Sequence, residues 1–237
     1  MRGNLKNIVW TILFLFLITS TALLTYLHFF AAGDKDLSGN WITKPDMTKQ
    51  AAVTALSWLQ DIDAVSVSLE DMEAYMQGLT IEVNLTLDQT ADSEGTFHCN
   101  VLPESYDACN QAAYEAFAAA FRDLLLERLR MAGYTGGTDD ETIEMLVTET
   151  FGMPTVSYLM SCAPELLPPL EDLQAQYDGS GAYITSEGML IRQYDAEGQA
   201  VTKTESYIRK DSKLVLTEET DSGYLPTIYI LQQSQNQ

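Results

Sequence analysis

The sequence predicts a mixed α+β chain: an N-terminal transmembrane helix, then an eight-stranded antiparallel β-barrel interrupted by a helical segment. Three observations carry this. An apolar run from Ile8 to Ala32 exceeds the roughly 20 residues a helix needs to cross a hydrocarbon core. The hydrophobic period is two residues in the first third of the remaining chain, helical in its middle, and two again at its end. Gly- and Asp-containing turns punctuate the late strands at short, regular spacing.

Arg2 and Lys6 precede the apolar run and Asp34-Lys35-Asp36 follows it. Basic residues stay cytoplasmic, so residues 1–33 read as a cytoplasmic tip and membrane anchor, and residues 34–237 as an extracytoplasmic domain. The alternative is a cleaved signal and secretion. That needs an apolar core of about 7 to 15 residues and a small-x-small cleavage site; Phe30-Ala31-Ala32 is the nearest match. All 34 acidic residues follow position 33, against 13 basic residues in the whole chain, for a net charge of −21. Such a field repels nucleic acid, which is excluded as a partner.

Gly39 to Lys44 reads as the first strand. Helices follow over Thr48 to Gln60 and from Ser68, whose hydroxyl caps while Asp71 charges the first turn. Ile81, Val83, Leu85 and Leu87 alternate with Glu82, Asn84, Thr86 and Asp88. Phe97, Cys99 and Val101 alternate with His98 and Asn100, and Asp92-Ser93-Glu94-Gly95 supplies the turn, so residues 79–102 form a hairpin.

The helical insertion occupies about 103–178. Ala113, Phe117, Ala120, Phe121, Leu124 and Leu125 share one face of a long helix that Gly133 ends. Shorter helices are expected over Asp140 to Phe151 and Pro154 to Cys162. Pro164, Pro168 and Pro169 close the segment. Five strands follow: Gly181 to Ser186, Met189 to Tyr194, Val201 to Arg209, Lys213 to Glu218 and Thr227 to Gln232. Eight strands joined by tight turns suit a small closed barrel, which either packs solid or holds one ligand.

Leu37-Ser38-Gly39-Asn40-Trp41 looks like the Gly-x-Trp that opens the first strand of lipocalin-like domains. The units Gly181 to Thr185 with Gly188 to Ile191, and Glu205 to Arg209 with Lys213 to Glu218, are similar to the strand-turn-strand repeats of small bacterial members, and Thr227 to Leu231 fits the last strand. The chain thus resembles small bacterial envelope-anchored lipocalin-like (calycin-type) domain proteins, over roughly residues 37–102 and 179–232. Typical lipocalins have no helical segment as long as 103–178. The resemblance implies binding of a small apolar molecule within the barrel, with Ile81, Val83, Leu85, Phe97, Cys99 and Val101 facing the ligand. A face of this composition fills a solid core equally well. The alternative function is a structural or regulatory envelope protein that holds a protein partner through its acidic surface or helical segment, with a solid barrel.

No catalytic or cofactor motif is present, and the chain is expected to be non-enzymatic. Asp34-Lys35-Asp36-Leu37-Ser38-Gly39 imitates half of a calcium loop, but Pro45 stands where a bidentate carboxylate is required. His98 is the only histidine outside the apolar run. Strand alternation turns it away from Cys99, so the two cannot form a nucleophile-base pair. Cys99, Cys109 and Cys162 permit one disulfide or none, and read as reduced, buried small hydrophobes.

Overall fold

The computed structural model describes residues 2–29, 36–60, 67–163, 165–196, 199–221 and 223–232. Eight strands close into an antiparallel barrel in sequence order: β1 (Gly39–Thr43), β2 (Val83–Ala91), β3 (Glu94–Val101), β4 (Gly179–Ser186), β5 (Met189–Ala196), β6 (Gln199–Lys210), β7 (Lys213–Thr220) and β8 (Gly223–Leu231). Closure removes the exposed sheet edges that would otherwise recruit other chains. The predicted strand number and order hold. Among the described residues seven helices accompany them: α1 (Arg2–Phe29), α2 (Thr48–Gln60), α3 (Leu69–Tyr75), α4 (Pro103–Met131), α5 (Asp140–Phe151), α6 (Thr155–Cys162) and α7 (Leu170–Tyr177).

The transmembrane helix expected at residues 8–32 is corrected. Helix α1 forms over much of this run, but among the described residues no helix is long and apolar enough to cross a membrane. A crossing needs about 20 consecutive apolar residues. Within the helix Thr19, Ser20 and Thr21 interrupt the apolar residues, and residues 30–32 lie outside the described residues. The Thr19 hydroxyl donates to the carbonyls of Leu15 and Phe16, and that of Thr21 to Leu17.

A second correction concerns the prolines. Pro168 and Pro169 do not end the helical segment, because α7 follows with Pro169 at its N-cap. Proline lacks the N–H that a helix start leaves unbonded anyway, so it opens a helix as readily as it stops one. Pro164 lies outside the described residues.

The chain divides into two compact units. The barrel unit comprises Met1–Trp41, Thr86–His98 and Gly179–Gln237. Its register follows from tight turns: Glu187 and Gly188 both take positive φ (51° and 80°) between β4 and β5, and Asp211 (φ 53°) turns β6 into β7. At the start of β1, Gly39 has φ +141°, and a side chain there would meet Leu231 Cδ1 at 2.5 Å. Glycine is thus required by both backbone and space. Trp41, two residues on, is fully buried; its Nε1 donates to the Leu37 carbonyl at 2.9 Å and the Arg209 guanidinium lies 5.4 Å from its ring centroid.

The helical unit comprises Ile42–Leu85 and Cys99–Asp178. Ser68 and Asp71 form a capping box at α3, Asp139 caps α5 through the Thr142 N–H, and Gly152 (φ 78°) ends α5 in the left-handed region. The core of this unit is mainly aliphatic, with Leu59, Met72, Met76, Ile143 and Leu159 buried; half-buried Trp58 meets buried Phe117 edge-on at 5.6 Å, and exposed Phe151 stacks on Tyr158 at 4.1 Å. Pro154 gives α6 no side-chain cap, so Glu144 of α5 does the capping. Its carboxylate accepts the Thr155 N–H at 2.8 Å and hydroxyl at 2.7 Å, and pairs with Arg122 of α4 at 3.0 Å.

Burial alone would raise the Glu144 pKa, but the two Thr155 hydrogen bonds and the Arg122 charge outweigh it and hold the carboxyl below its usual value. A depressed folded-state pKa gives stability that is present above the unfolded carboxylate pKa and lost as pH falls through the folded value. Glu144→Ala is therefore expected to destabilise by about 1 kcal/mol at neutral pH, a modest figure because the pair is partly exposed. Urea denaturation should show the gap between variant and parent closing below about pH 4; a gap that persists in acid would contradict this assignment.

Candidate functional site

Alternation along the barrel strands sends one set of side chains inward. Tyr183 on β4, Leu190 and Arg192 on β5, Glu205 and Tyr207 on β6, Leu214 and Leu216 on β7 and Tyr229 on β8 are all buried. Ile184, Ile208, Ile228 and Ile230 stand exposed on the opposite face. The inward set therefore mixes apolar and aromatic residues with a buried ion pair.

That pair forms across β5 and β6, where Leu190 lies opposite Glu205 and Arg192 opposite Lys203. Arg192 donates from Nε (3.1 Å) and Nη2 (2.6 Å) to the same oxygen, Oε2 of Glu205. Lys203 Nζ lies 3.4 Å from Glu205 Oε1 and 2.7 Å from Glu218 Oε2. Side-chain exposure is graded through the cluster: 8% for Arg192, 6% for Glu205, 33% for Lys203 and 42% for Glu218. Phe97 receives the Arg192 guanidinium over its face at 5.3 Å and meets Tyr194 edge-on at 6.1 Å. The result is a charge-balanced site with two cations, two carboxylates and an aromatic wall.

Burial pulls the Lys203 pKa down, but the hydrogen bond to Glu218 and the Glu205 charge reverse this and leave it raised. The ammonium stays protonated. With three N–H donors and two carboxylate partners, it can take one more acceptor. Glu218 is the most exposed member and carries the smallest desolvation cost of the four.

The six ligand-facing residues read from the sequence are all buried. Phe97 belongs to the barrel unit and lies in the ion-pair site. Ile81, Val83, Leu85, Cys99 and Val101 belong to the helical unit. Sequence reasoning missed Arg192, Lys203, Glu205 and Glu218. Their signal was the spacing of two between Arg192 and Leu190 and between Glu205 and Tyr207, obscured because Ile191 and Ile208 on the alternate positions make the outer face look equally apolar.

The cysteines form no disulfide; Cys99 and Cys109 are buried, whereas Cys162 is exposed, so the expectation of three buried thiols holds for two. His98 is exposed beside buried Cys99. Asp34 and Lys35 of the calcium-like stretch lie outside the described residues. Among the described residues, no group of three or more His, Cys, Asp or Glu side chains could hold a metal ion. No family model, curated protein or solved structure matches the chain.

Proposed function

We propose that this chain is a non-catalytic, lipocalin-like binding module whose barrel takes a small molecule with an apolar body and a carboxylate head. The observation that carries the reading is the graded ion cluster inside the barrel. Burying an ion pair is no better for stability than filling the same space with apolar side chains, so the cluster is better accounted for by recognition. The head exchanges with Glu218 on Lys203, while Glu205, itself fixed by Arg192, holds the ammonium in place and Phe97 with Tyr194 contacts the body. Gly39-Asn40-Trp41 and the closed eight-stranded barrel support the lipocalin-like assignment. Basic Arg2 and Lys6 ahead of an apolar run are also the pattern of an export signal, which supports an extracytoplasmic location.

The test is native mass spectrometry before and after organic extraction, with thermal-shift titration of medium-chain carboxylic acids against the matching alcohols and amines. Carboxylates are expected to stabilise and alcohols not. Lys203→Gln should weaken carboxylate binding by about tenfold or more, as loss of a charge-assisted hydrogen bond. Glu218→Gln, which removes the internal competitor, should strengthen it. An extraction-insensitive mass together with no shift for any acid would refute the proposal.

A further inference from the structure

We propose that the helical unit captures a short, extended, basic segment of a partner protein in a groove between residues 78–82 and the first turns of α4. This inference is independent of the barrel reading and uses other residues. It begins with the chain leaving α3. The Met47 N–H donates to the Leu79 carbonyl at 2.8 Å and the Ile81 N–H to the Pro45 carbonyl at 3.2 Å, so Asp46 and Thr80 form an antiparallel bridge.

In extended chain successive peptide groups point to opposite sides. The N–H and C=O of Thr80 therefore point away from residues 45–47, in the same direction as those of Glu82. The Glu82 groups are satisfied: its carbonyl accepts the Leu102 N–H at 2.9 Å, and its N–H donates to Ser105 Oγ at 2.8 Å. Those of Thr80 have no hydrogen-bond partner among the described residues. One donor and one acceptor on an extended segment are what an added strand pairs with.

Space is available at that edge. The groove encloses about 510 Å³. Leu79, Leu102 and Cys109 give it an apolar floor, and the small side chains of Ala108 and Ala112 leave it open. Burial, reinforced by the Asp46 charge, pushes the Cys109 thiol up to about 11, so the floor carries no charge at neutral pH.

Charge selects the occupant. Glu82 and Glu104 line the groove. Glu82 already binds an ammonium, that of Lys44, at 2.7 Å, which shows the position a partner's lysine would take or share. A second copy of this chain is a poor occupant, since 34 acidic against 13 basic residues make copies repel. A partner strand with alternating apolar and basic side chains meets floor and rim in turn.

The experiment uses the full-length protein and three fluorescein-labelled heptapeptides, read by fluorescence polarisation. One alternates valine and lysine, one alternates valine and glutamate, and the third is the lysine peptide with N-methylated valines. The lysine peptide is expected to bind at least about tenfold tighter than either of the others, and to weaken as salt screens the rim. Ala108→Trp fills the groove without removing any hydrogen bond described above, and should abolish binding while leaving the thermal melt unchanged. Glu104→Gln gives an independent, partial loss. Equal binding of lysine and N-methylated peptides, undiminished binding by Ala108→Trp, or a groove that responds only to protein concentration through self-association would each overturn the proposal.

Discussion

Trp41→Ala is expected to lower stability by about 3–5 kcal/mol, the range for removing a large aromatic side chain from a packed core. The indole is fully buried, and three interactions leave with it: packing within the barrel, the Nε1 hydrogen bond to Leu37, and the contact with the Arg209 guanidinium. Urea denaturation followed by far-UV circular dichroism measures the change. Trp41→Phe separates the contributions, since it keeps most of the volume and the aromatic face beneath Arg209 but lacks the donor. Its expected loss is smaller, about 1–2 kcal/mol for a hydrogen bond and modest underpacking. If alanine cost under about 1 kcal/mol, as surface substitutions do, the assignment of Trp41 to the barrel core would be wrong.

The second large effect is at Arg192 and Glu205. Arg192→Met strands a buried carboxylate, and a loss of about 3–5 kcal/mol follows for breaking one side of such a pair. Lys203, 3.4 Å from Glu205, moves the expectation to the lower end of that range. Glu205→Leu leaves the guanidinium uncompensated and should lose a similar amount. The double variant Arg192→Met/Glu205→Leu replaces both partners by apolar groups, and is expected to be neutral or more stable than the parent. Denaturation of all four proteins gives the coupling energy. The functional consequence separates from the structural one: the double variant should fold well and yet lose the carboxylate-dependent thermal shift. A double variant that is stable and still binds carboxylates would leave the ion pair without a role in recognition.

Both predictions concern residues whose visibility in the sequence differs. Trp41 was legible because Gly39-Asn40-Trp41 combines a backbone requirement with a large apolar side chain, and both are local. Arg192 and Glu205 were not legible. Taken alone, β5 offers Met189, Leu190, Ile191 and Tyr194 on both faces, so no inward face can be chosen; the register Leu190 opposite Glu205 chooses it. The groove beside α4 had partial signals. Ser105 and the helix start were readable, but the orphaned peptide groups of Thr80 follow from a two-residue bridge with residue 46, which has no sequence signature.

By itself, the sequence determined the number and order of the strands, the positions of α2 to α6, and the outward exposure of His98. These follow from short-range causes: period-two alternation, capping side chains, and glycine or aspartate where the backbone takes positive φ. Tertiary structure decided what depends on distant partners. It closed the barrel, turned Pro169 into the start of α7, divided the six ligand-facing candidates between two units, and brought Arg192, Lys203, Glu205 and Glu218 together. A strand's buried face, a helix's cap from another helix, and the pairing of buried charges are fixed by which neighbour supplies the opposing atoms, and that information lies outside any local stretch of the chain.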